Sequence, residues 1–179
     1  MRFEYTQIHM GGRVNITVYA PDEATAQQAA AAAFRRFAEV EQIASDYRPT
    51  SEINQLVRQP VGVPVRVSRE LQVLLGFSLR LARQTNGAFD VTASPVVRLW
   101  RDARRTGQMP PISDRRAAMA RVGFQRLRLD PRTGTVTLLR SDLQLDFGGI
   151  AKGFAADEAL LALQGNGVGR ALIQAGGDI

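Results

Sequence analysis

The stretch Leu145–Asp157, which reads LDFGGIAKGFAAD, constrains the fold of this 179-residue chain more than any other. Apolar and polar side chains alternate along Gln144–Phe147, which predicts the end of a β-strand. Gly148 and Gly149 interrupt that strand. From Ile150 onward, apolar residues recur at three- and four-residue steps, which predicts a helix. The predicted apolar face of this helix comprises Ile150, Phe154, Ala155, Leu160, Leu161 and Leu163.

A strand, a glycine turn and a helix start leave backbone N–H groups and the positive end of a helix dipole at one place, which favours a phosphate. Asp146 precedes this turn and Lys152 follows it, so the stretch can hold a cation as well as an anion. The glycine spacing matches neither a Walker loop nor a dinucleotide-binding Gly-x-Gly-x-x-Gly. The local chemistry therefore predicts a phosphate-containing ligand together with a metal.

Lys152 is the only lysine of the chain, and the other 22 of its 23 lysine and arginine residues are arginines. An ammonium is a compact point charge that suits phosphate oxygens in a tight place, whereas a guanidinium is a wide planar fork. The position of Lys152 beside Gly148 and Gly149 favours a functional lysine. The alternative is that one lysine occurs by chance in an arginine-biased sequence.

Composition excludes several classes of chemistry. The chain has no cysteine and one histidine, His9, so it offers neither disulfides nor the ligands of a His/Cys zinc site. Its hydrophobic content of 45% and charged content of 22% are typical of a soluble globular protein, and its length predicts one domain, residues 1–179. No apolar run reaches the length of a membrane span, and we expect the chain, as written, to be cytoplasmic or to have lost an export segment.

Positive charge is concentrated in Arg98–Arg128, a segment that contains nine arginines and only two aspartates. Such a patch attracts nucleic acid, nucleotides or an acidic protein. Aromatic side chains for base stacking are sparse there, being only Trp100 and Phe124. We therefore interpret the patch as a solvated helical face and expect no nucleic-acid partner.

Strands and helices are grouped along the chain rather than strictly alternating. Predicted strands are Phe3–His9, Val14–Tyr19, Phe124–Asp130, Thr135–Leu139 and Arg170–Ala175. A long helix is predicted to open at Pro21-Asp22, and Ser51 and Ser68 are predicted to cap two further helices. The grouping predicts an α+β fold with mixed or antiparallel sheets flanked by helices.

Five motifs occur in a fixed order along the chain. They are Met10-Gly11, Ser45-x-Tyr47 followed by Ser51-Glu52-Ile53, Gly87-Ala88-Phe89-Asp90-Val91-Thr92, Asp146-x-Gly148-Gly149-Ile150-Ala151-Lys152-Gly153, and Ala175-Gly176-Gly177-Asp178. Together they resemble the ApbE family of FAD:protein FMN transferases, over essentially the whole chain.

The resemblance implies an enzyme that binds FAD and Mg²⁺. Such an enzyme transfers the FMN half of FAD to a Ser or Thr of a partner flavoprotein and releases AMP. It implies that FAD contacts Met10, Tyr47, Ala88, Phe89, Asp90, Asp146 and Lys152. It implies catalytic roles for Asp146 and Lys152, and a metal bound by the backbone carbonyl of Gly149.

The chain also departs from the family pattern. It has Gly12 where the family has Thr, and Val57 where the family has Asn. The family continues beyond the position of Ile179 into a portion that carries an Asp and a Thr for the metal and a His near the substrate. Family members normally begin with an export or lipoprotein segment, whereas this sequence starts at the first strand.

From these departures we expect a fold that is incomplete at its C-terminus. We also expect little transferase activity from these residues alone, and self-association into a homo-oligomer through an uncovered surface. Three other functions are compatible with the sequence: a metal-dependent FAD pyrophosphatase, a non-catalytic flavin-binding module and an arginine-rich nucleic-acid binder.

Overall fold

The computed structural model describes residues 1–177 and 179, which divide into two compact units. Unit 1 combines Met1–Gln42 with Gly148–Ile179, and unit 2 is the continuous segment Ile43–Phe147. The chain thus leaves unit 1 after Gln42 and returns to it at Gly148. The assignment of residues 1–179 to one domain stays a prediction.

The described residues form helices and short strands in the following chain order. They are β1 (Arg2–His9), β2 (Gly12–Tyr19), α1 (Glu23–Ala44), α2 (Glu52–Leu56), β3 (Pro64–Arg66), α3 (Arg69–Gln84), α4 (Ser94–Thr106), α5 (Ile112–Met119), β4 (Leu127–Asp130), β5 (Thr135–Leu138), α6 (Ala151–Gly165) and β6 (Ala171–Ala175). None of these helices combines the length and the apolar composition that a membrane crossing requires.

Unit 1 contains the antiparallel sheet β1-β2-β6. Met10 and Gly11, with φ of 51° and 74°, form the turn between β1 and β2. Positive φ at two successive residues is typical of the tight turns that join twisted antiparallel strands. Every second side chain of β2 is buried, and Ile16 lies opposite Ile173 of β6. The two predicted strands Phe3–His9 and Val14–Tyr19 are confirmed, and β2 begins two residues earlier than predicted, at Gly12.

Helix α1 begins after Asp22, whose Oδ1 accepts a hydrogen bond from the Thr25 N–H at 2.8 Å. It is joined to α6 by Arg36, whose Nη2 donates to Glu158 Oε2 at 2.5 Å. The predicted opening of α1 at Pro21-Asp22 is therefore confirmed. Both helices bury many alanines, which permits close packing because the side chains are small.

The apolar face of α6 differs from the prediction. The buried residues recur at every fourth position and are Ala151, Ala155, Ala159 and Leu163. Leu160 and Leu161 are exposed, and Leu161 keeps 61% of its accessible surface. The prediction that these two leucines belong to the core was wrong because it assigned the large apolar side chains to the buried face. The helix instead turns its alanine stripe inward.

Unit 2 contains a second antiparallel sheet, β3-β5-β4. Both predicted helix caps are present: Ser51 Oγ accepts from Asn54 N at 3.3 Å, and Ser68 Oγ accepts from Leu71 N at 3.2 Å. The two sheets and their helices make an α+β fold, as predicted. The largest fully buried side chains of this unit are Ile53, Leu71, Leu74, Leu75, Leu138 and Phe147.

The predicted strand at Gln144–Phe147 is wrong. These residues belong to no strand, although Leu143, Leu145 and Phe147 are buried and the residues between them are partly exposed. A backbone hydrogen bond from Asp146 N to Val91 O, at 2.8 Å, fastens the segment to a loop. The alternation thus indicates an extended segment with one side buried. Such burial does not require pairing with a neighbouring strand.

Candidate functional site

Lys152 lies in the first turn of α6, and its side chain reaches the turn that follows β6. A Cβ atom built on Gly176 would lie 2.8 Å from Lys152 Nζ, 3.5 Å from its Cε and 3.7 Å from its Cδ. Gly176 also has φ of +65°, a conformation that L-residues rarely adopt. Glycine at 176 suits this backbone conformation, and its lack of a side chain leaves the space that the lysine ammonium fills.

The β1–β2 turn borders the same glycine. Gly176 N donates to Arg13 O at 3.1 Å, and a Cβ built on Gly12 would lie 3.7 Å from Gly176 Cα. The two turns therefore lie side by side in unit 1, with the ammonium of Lys152 against one of them. We call Met10, Gly11, Gly12, Lys152 and Gly176 the Lys152 cluster.

The chemistry of the Lys152 cluster suits an anion. Helix α6 begins after Ile150, and no described side chain caps it. The first N–H groups of a helix have no partner within the helix, and the helix dipole is positive there. An ammonium group on this same helical turn adds a full positive charge. Asp178, which belongs to the matching sequence motif, lies outside the described residues.

A magnesium site is not formed by the described residues alone. Mg²⁺ prefers roughly six oxygen ligands in octahedral geometry. Within residues 1–177 and 179, no group of three or more His, Asp or Glu side chains could hold a metal ion. The carbonyl of Gly149, the ligand that the resemblance implies, is a single oxygen. Mg²⁺ binding stays a prediction.

Unit 2 brings together two of the predicted site residues, Tyr47 and Asp146, through an arginine of α4. Arg101 Nη1 donates to Asp46 Oδ2 at 2.6 Å, and its Nη2 donates to Asp146 Oδ2 at 2.8 Å. The guanidinium lies 4.8 Å from the centroid of the Tyr47 ring. We call Asp46, Tyr47, Arg101 and Asp146 the Arg101 cluster.

The charges of the Arg101 cluster stabilise one another. The side chains of Asp46 and Asp146 keep only 11% and 9% of their accessible surface. Burial by itself lowers the pKa of Arg101, but the hydrogen bond and charge of Asp46, followed by the charge of Asp146, raise it overall. Tyr47 remains 74% exposed, so its ring is open to a ligand.

Asp90 and its neighbours form a separate hydrogen-bonded loop in unit 2. Asp90 Oδ1 accepts from the N–H and the hydroxyl of Thr92 at 2.8 and 2.7 Å, and its Oδ2 accepts from Phe124 N at 2.8 Å. Thr92 Oγ1 accepts in turn from Gly123 N at 2.7 Å. Both carboxylate oxygens therefore hold backbone in place, which gives Asp90 a structural role whatever else it contacts.

The two residues before Asp90 are placed differently. Ala88 is exposed, whereas Phe89 is half-buried and its N–H donates to Thr85 Oγ1 at 3.1 Å. Phe89 is therefore not simple core. The loop carries both side chains on a framework that the bonds of Asp90 and Thr85 define.

Sequence reasoning missed three residues of these clusters as functional candidates: Asp46, Arg101 and Gly176. Asp46 adjoins Tyr47 in the sequence, which was an available signal. There was no such signal for Arg101, because it is one of nine arginines in the segment Arg98–Arg128. Gly176 stood in a recognised motif, but its contact with Lys152 is visible only in three dimensions.

The structure is thus an α+β protein in which the ammonium of Lys152 lies between the start of α6 and the turn after β6. The ApbE family model matches residues 10–179, and this chain belongs to the ApbE family. The chain is 29% identical over 177 residues to an FAD:protein FMN transferase of Klebsiella pneumoniae (strain 342), which covers 99% of this chain and 55% of the relative. It is 30% identical over 185 residues to one of Treponema pallidum (strain Nichols), with 99% and 51% covered.

Solved structures agree with this family assignment. The flavin transferase ApbE from Vibrio cholerae superposes with a TM-score of 0.88 at 26% identity, over 99% of this chain and 58% of that one. The ApbE protein of Thermotoga maritima, at 23% identity, shares the fold with a TM-score of 0.86, over 98% and 57%. The chain thus spans between 51% and 58% of the length of these four proteins.

Proposed function

We propose that the protein to which this chain belongs is an FAD:protein FMN transferase and that this chain binds its FAD. The observation that carries the proposal is the ammonium of Lys152, held against Gly176 where any side chain would displace it. A cation in a fixed place beside uncapped helical N–H groups suits a pyrophosphate, which FAD contains. The names of the relatives supply the substrate.

Two sets of residues are assigned contacts with FAD. In unit 1 they are Met10 and Lys152, and in unit 2 they are Tyr47, Ala88, Phe89, Asp90 and Asp146. Lys152 suits the phosphates because it is cationic, whereas the exposed ring of Tyr47 suits stacking on a flat ring system. Asp146 and Lys152 are the residues to which we assign catalytic roles.

The proposed reaction exchanges one phosphorus–oxygen bond for another. The hydroxyl oxygen of an acceptor Ser or Thr attacks the phosphorus of the FMN half. The bond from that phosphorus to the bridging oxygen breaks, AMP leaves with the bonding pair, and the hydroxyl proton passes to solvent. Such transfers depend mainly on positioning and charge neutralisation. Lys152 would supply part of the neutralisation within this chain.

Other parts of the proposal come from the resemblance or the composition. They are the Mg²⁺ requirement, with Gly149 as one ligand, and an acceptor flavoprotein as partner. A cytoplasmic location, a homo-oligomeric state and the absence of a nucleic-acid partner stay predictions.

The first experiment titrates the chain with FAD, FMN and riboflavin and follows flavin fluorescence. We expect FAD to bind most tightly, because only FAD carries the pyrophosphate. Leu161→Ala, an exposed change on the same helix as Lys152, is the control and should bind FAD as the parent does. Equal affinity for FAD and riboflavin would contradict the proposal.

The second experiment uses the whole protein to which this chain belongs and measures AMP release with Mg²⁺, with and without an acceptor flavoprotein. Release that requires the acceptor supports the transferase. Release of FMN and AMP without it identifies an FAD pyrophosphatase instead. Tight FAD binding without turnover identifies a non-catalytic flavin-binding module.

A further inference from the structure

The family resemblance assigns no role to Arg101, which lies between two residues that it does assign, Tyr47 and Asp146. Resting on the proposed function, we propose that Arg101 is a positioning residue, which holds the Tyr47 ring and the Asp146 carboxylate in the arrangement that FAD meets. It acts through these two side chains.

The geometry of the guanidinium is the first support. Its two terminal nitrogens donate to two different carboxylates, Asp46 and Asp146, at 2.6 and 2.8 Å. A planar fork held at both ends has a defined orientation, which a lysine ammonium could not reproduce. Arg101 therefore fixes the position of Asp146 relative to Asp46.

The second support is the Tyr47 ring, which the same guanidinium contacts at 4.8 Å. An exposed tyrosine ordinarily samples several rotamers, and a ligand that uses one of them must bear the cost of ordering it. A cation against the ring favours one of those rotamers in advance. The fixed guanidinium therefore keeps the ring ready for a stacked ligand.

The third support is electrostatic. Asp46 and Asp146 are nearly buried, and without a cation they would place two negative charges beside a ligand whose pyrophosphate is also negative. The guanidinium of Arg101 offsets part of that negative charge. It thus permits Asp146 to stand in a site for an anionic ligand.

The test compares FAD dissociation constants of four single variants with that of the parent chain. Arg101→Met removes the cation, and we expect its FAD affinity to fall at least tenfold. Arg101→Lys keeps a positive charge facing the carboxylates, which protects the fold. Because a lysine does not bridge the two carboxylates as the guanidinium does, we expect the FAD affinity of this variant to fall at least threefold. Arg104→Met changes an exposed arginine of the same helix and should alter the affinity by less than twofold.

Arg170→Met is the matched control. Arg170 lies 4.7 Å from the ring centroid of Tyr19 in unit 1, which is the same kind of contact, and we assign that pair no role. Its loss should leave FAD affinity unchanged. A fall as large as that of Arg101→Met would overturn the inference, since any arginine–tyrosine pair would then have the same effect.

A comparison in a doubly substituted background separates positioning from direct contact. In a chain that already carries Tyr47→Ala and Asp146→Asn, Arg101→Met should cost less than twofold, because the side chains through which it acts are gone. An undiminished tenfold loss there would overturn the positioning role and identify a direct contact with FAD.

A spectroscopic readout completes the test without any ligand. With 3-fluorotyrosine in place of its three tyrosines, the chain gives one ¹⁹F resonance for each. Arg101→Met should shift or broaden the Tyr47 resonance and leave that of Tyr19 in place. An unchanged Tyr47 resonance would overturn the inference. If the parent chain shows no saturable FAD binding, the proposed function fails and this inference with it. Binding that Arg101→Met leaves intact overturns this inference alone.

Discussion

Gly176→Ala should separate the stability of unit 1 from its capacity to hold an anion. The added methyl group would lie 2.8 Å from Lys152 Nζ, which is closer than two non-bonded heavy atoms of this kind approach. The neighbour is the end of a flexible side chain, so the ammonium moves aside at little cost to the fold. What the substitution changes is the position of the charge.

Two magnitudes follow from this geometry. An alanine at φ of +65° costs about 1–2 kcal/mol of folding free energy, because its Cβ crowds the following carbonyl oxygen. A displaced ammonium forfeits a charge-assisted hydrogen bond to phosphate, which contributes about 1.5–3 kcal/mol, or on the order of ten- to a hundredfold in the Kd for FAD.

Gly167→Ala is the matched control. Gly167 also belongs to unit 1, has φ of +80°, and has no described atom within 4 Å of its built Cβ. It follows the opposite end of α6 from Lys152. Urea denaturation should therefore show similar losses of stability for both variants, whereas fluorescence titration should show weaker FAD binding only for Gly176→Ala.

Two results would refute this reasoning. One is the same FAD affinity in both variants, which would mean that the position of the ammonium does not matter. The other comes from the Lys152→Ala background, where Gly176→Ala should have no further effect on the Kd. A full additional loss there would show that the glycine acts independently of the lysine.

Three further predictions concern single side chains. Lys152→Arg should weaken FAD binding because a wide guanidinium does not fit against the Gly176 turn. Lys152→Ala should cost about 1–3 kcal/mol of binding free energy. Unchanged FAD affinity of the Arg variant in titration, at unchanged stability, would contradict the role of Lys152. Asp90→Asn places an amide donor against a backbone N–H and should lower the free energy of unfolding in urea by about 1–3 kcal/mol. Asp102→Asn, at an exposed carboxylate, should change that free energy little. Equal stability of both variants would show that the hydrogen bonds of Asp90 are dispensable. The backbone N–H of Arg132, followed by the Thr133 hydroxyl, lowers the pKa of Asp130 below its ordinary value of 3.8, so its contribution to stability is present above pH 3.8 and is lost as the pH falls through the folded-state pKa. The stability difference between Asp130→Asn and the parent should therefore close below about pH 3.8 in urea titrations, and a pH-independent difference would exclude this cause.

Local signals in the sequence predicted the elements that depend on neighbouring residues. Strands β1 and β2 followed from the alternation of apolar and polar residues, and the caps at Ser51 and Ser68 followed from residue type. In each case the hydrogen-bonding partner is close in sequence; Asn54, for example, is three residues from its cap. Short-range geometry alone decides such contacts.

The sequence could not predict which partner a segment finds far along the chain. Alternation at Gln144–Phe147 correctly indicated the buried side chains but not that the backbone would pair with the loop at Val91. The Arg101 cluster joins residues 55 and 45 positions apart, and nothing local distinguishes this arginine from the 21 others. Tertiary contacts of this kind depend on the whole fold.

The division of the chain also has a kinetic consequence. Asn15 of β2 and Gln174 of β6 are hydrogen-bonded through their side chains, although 159 residues separate them in sequence. Closing so long a loop is entropically costly and slow, whereas every contact within unit 2 spans at most its own continuous segment. We therefore expect unit 2 to fold before β6 has left the ribosome and paired with β2. During synthesis, the edge of β2 that will receive β6 remains unpaired until almost all of the 179 residues have been made, and this is the interval in which the nascent chain is most exposed to wrong pairing.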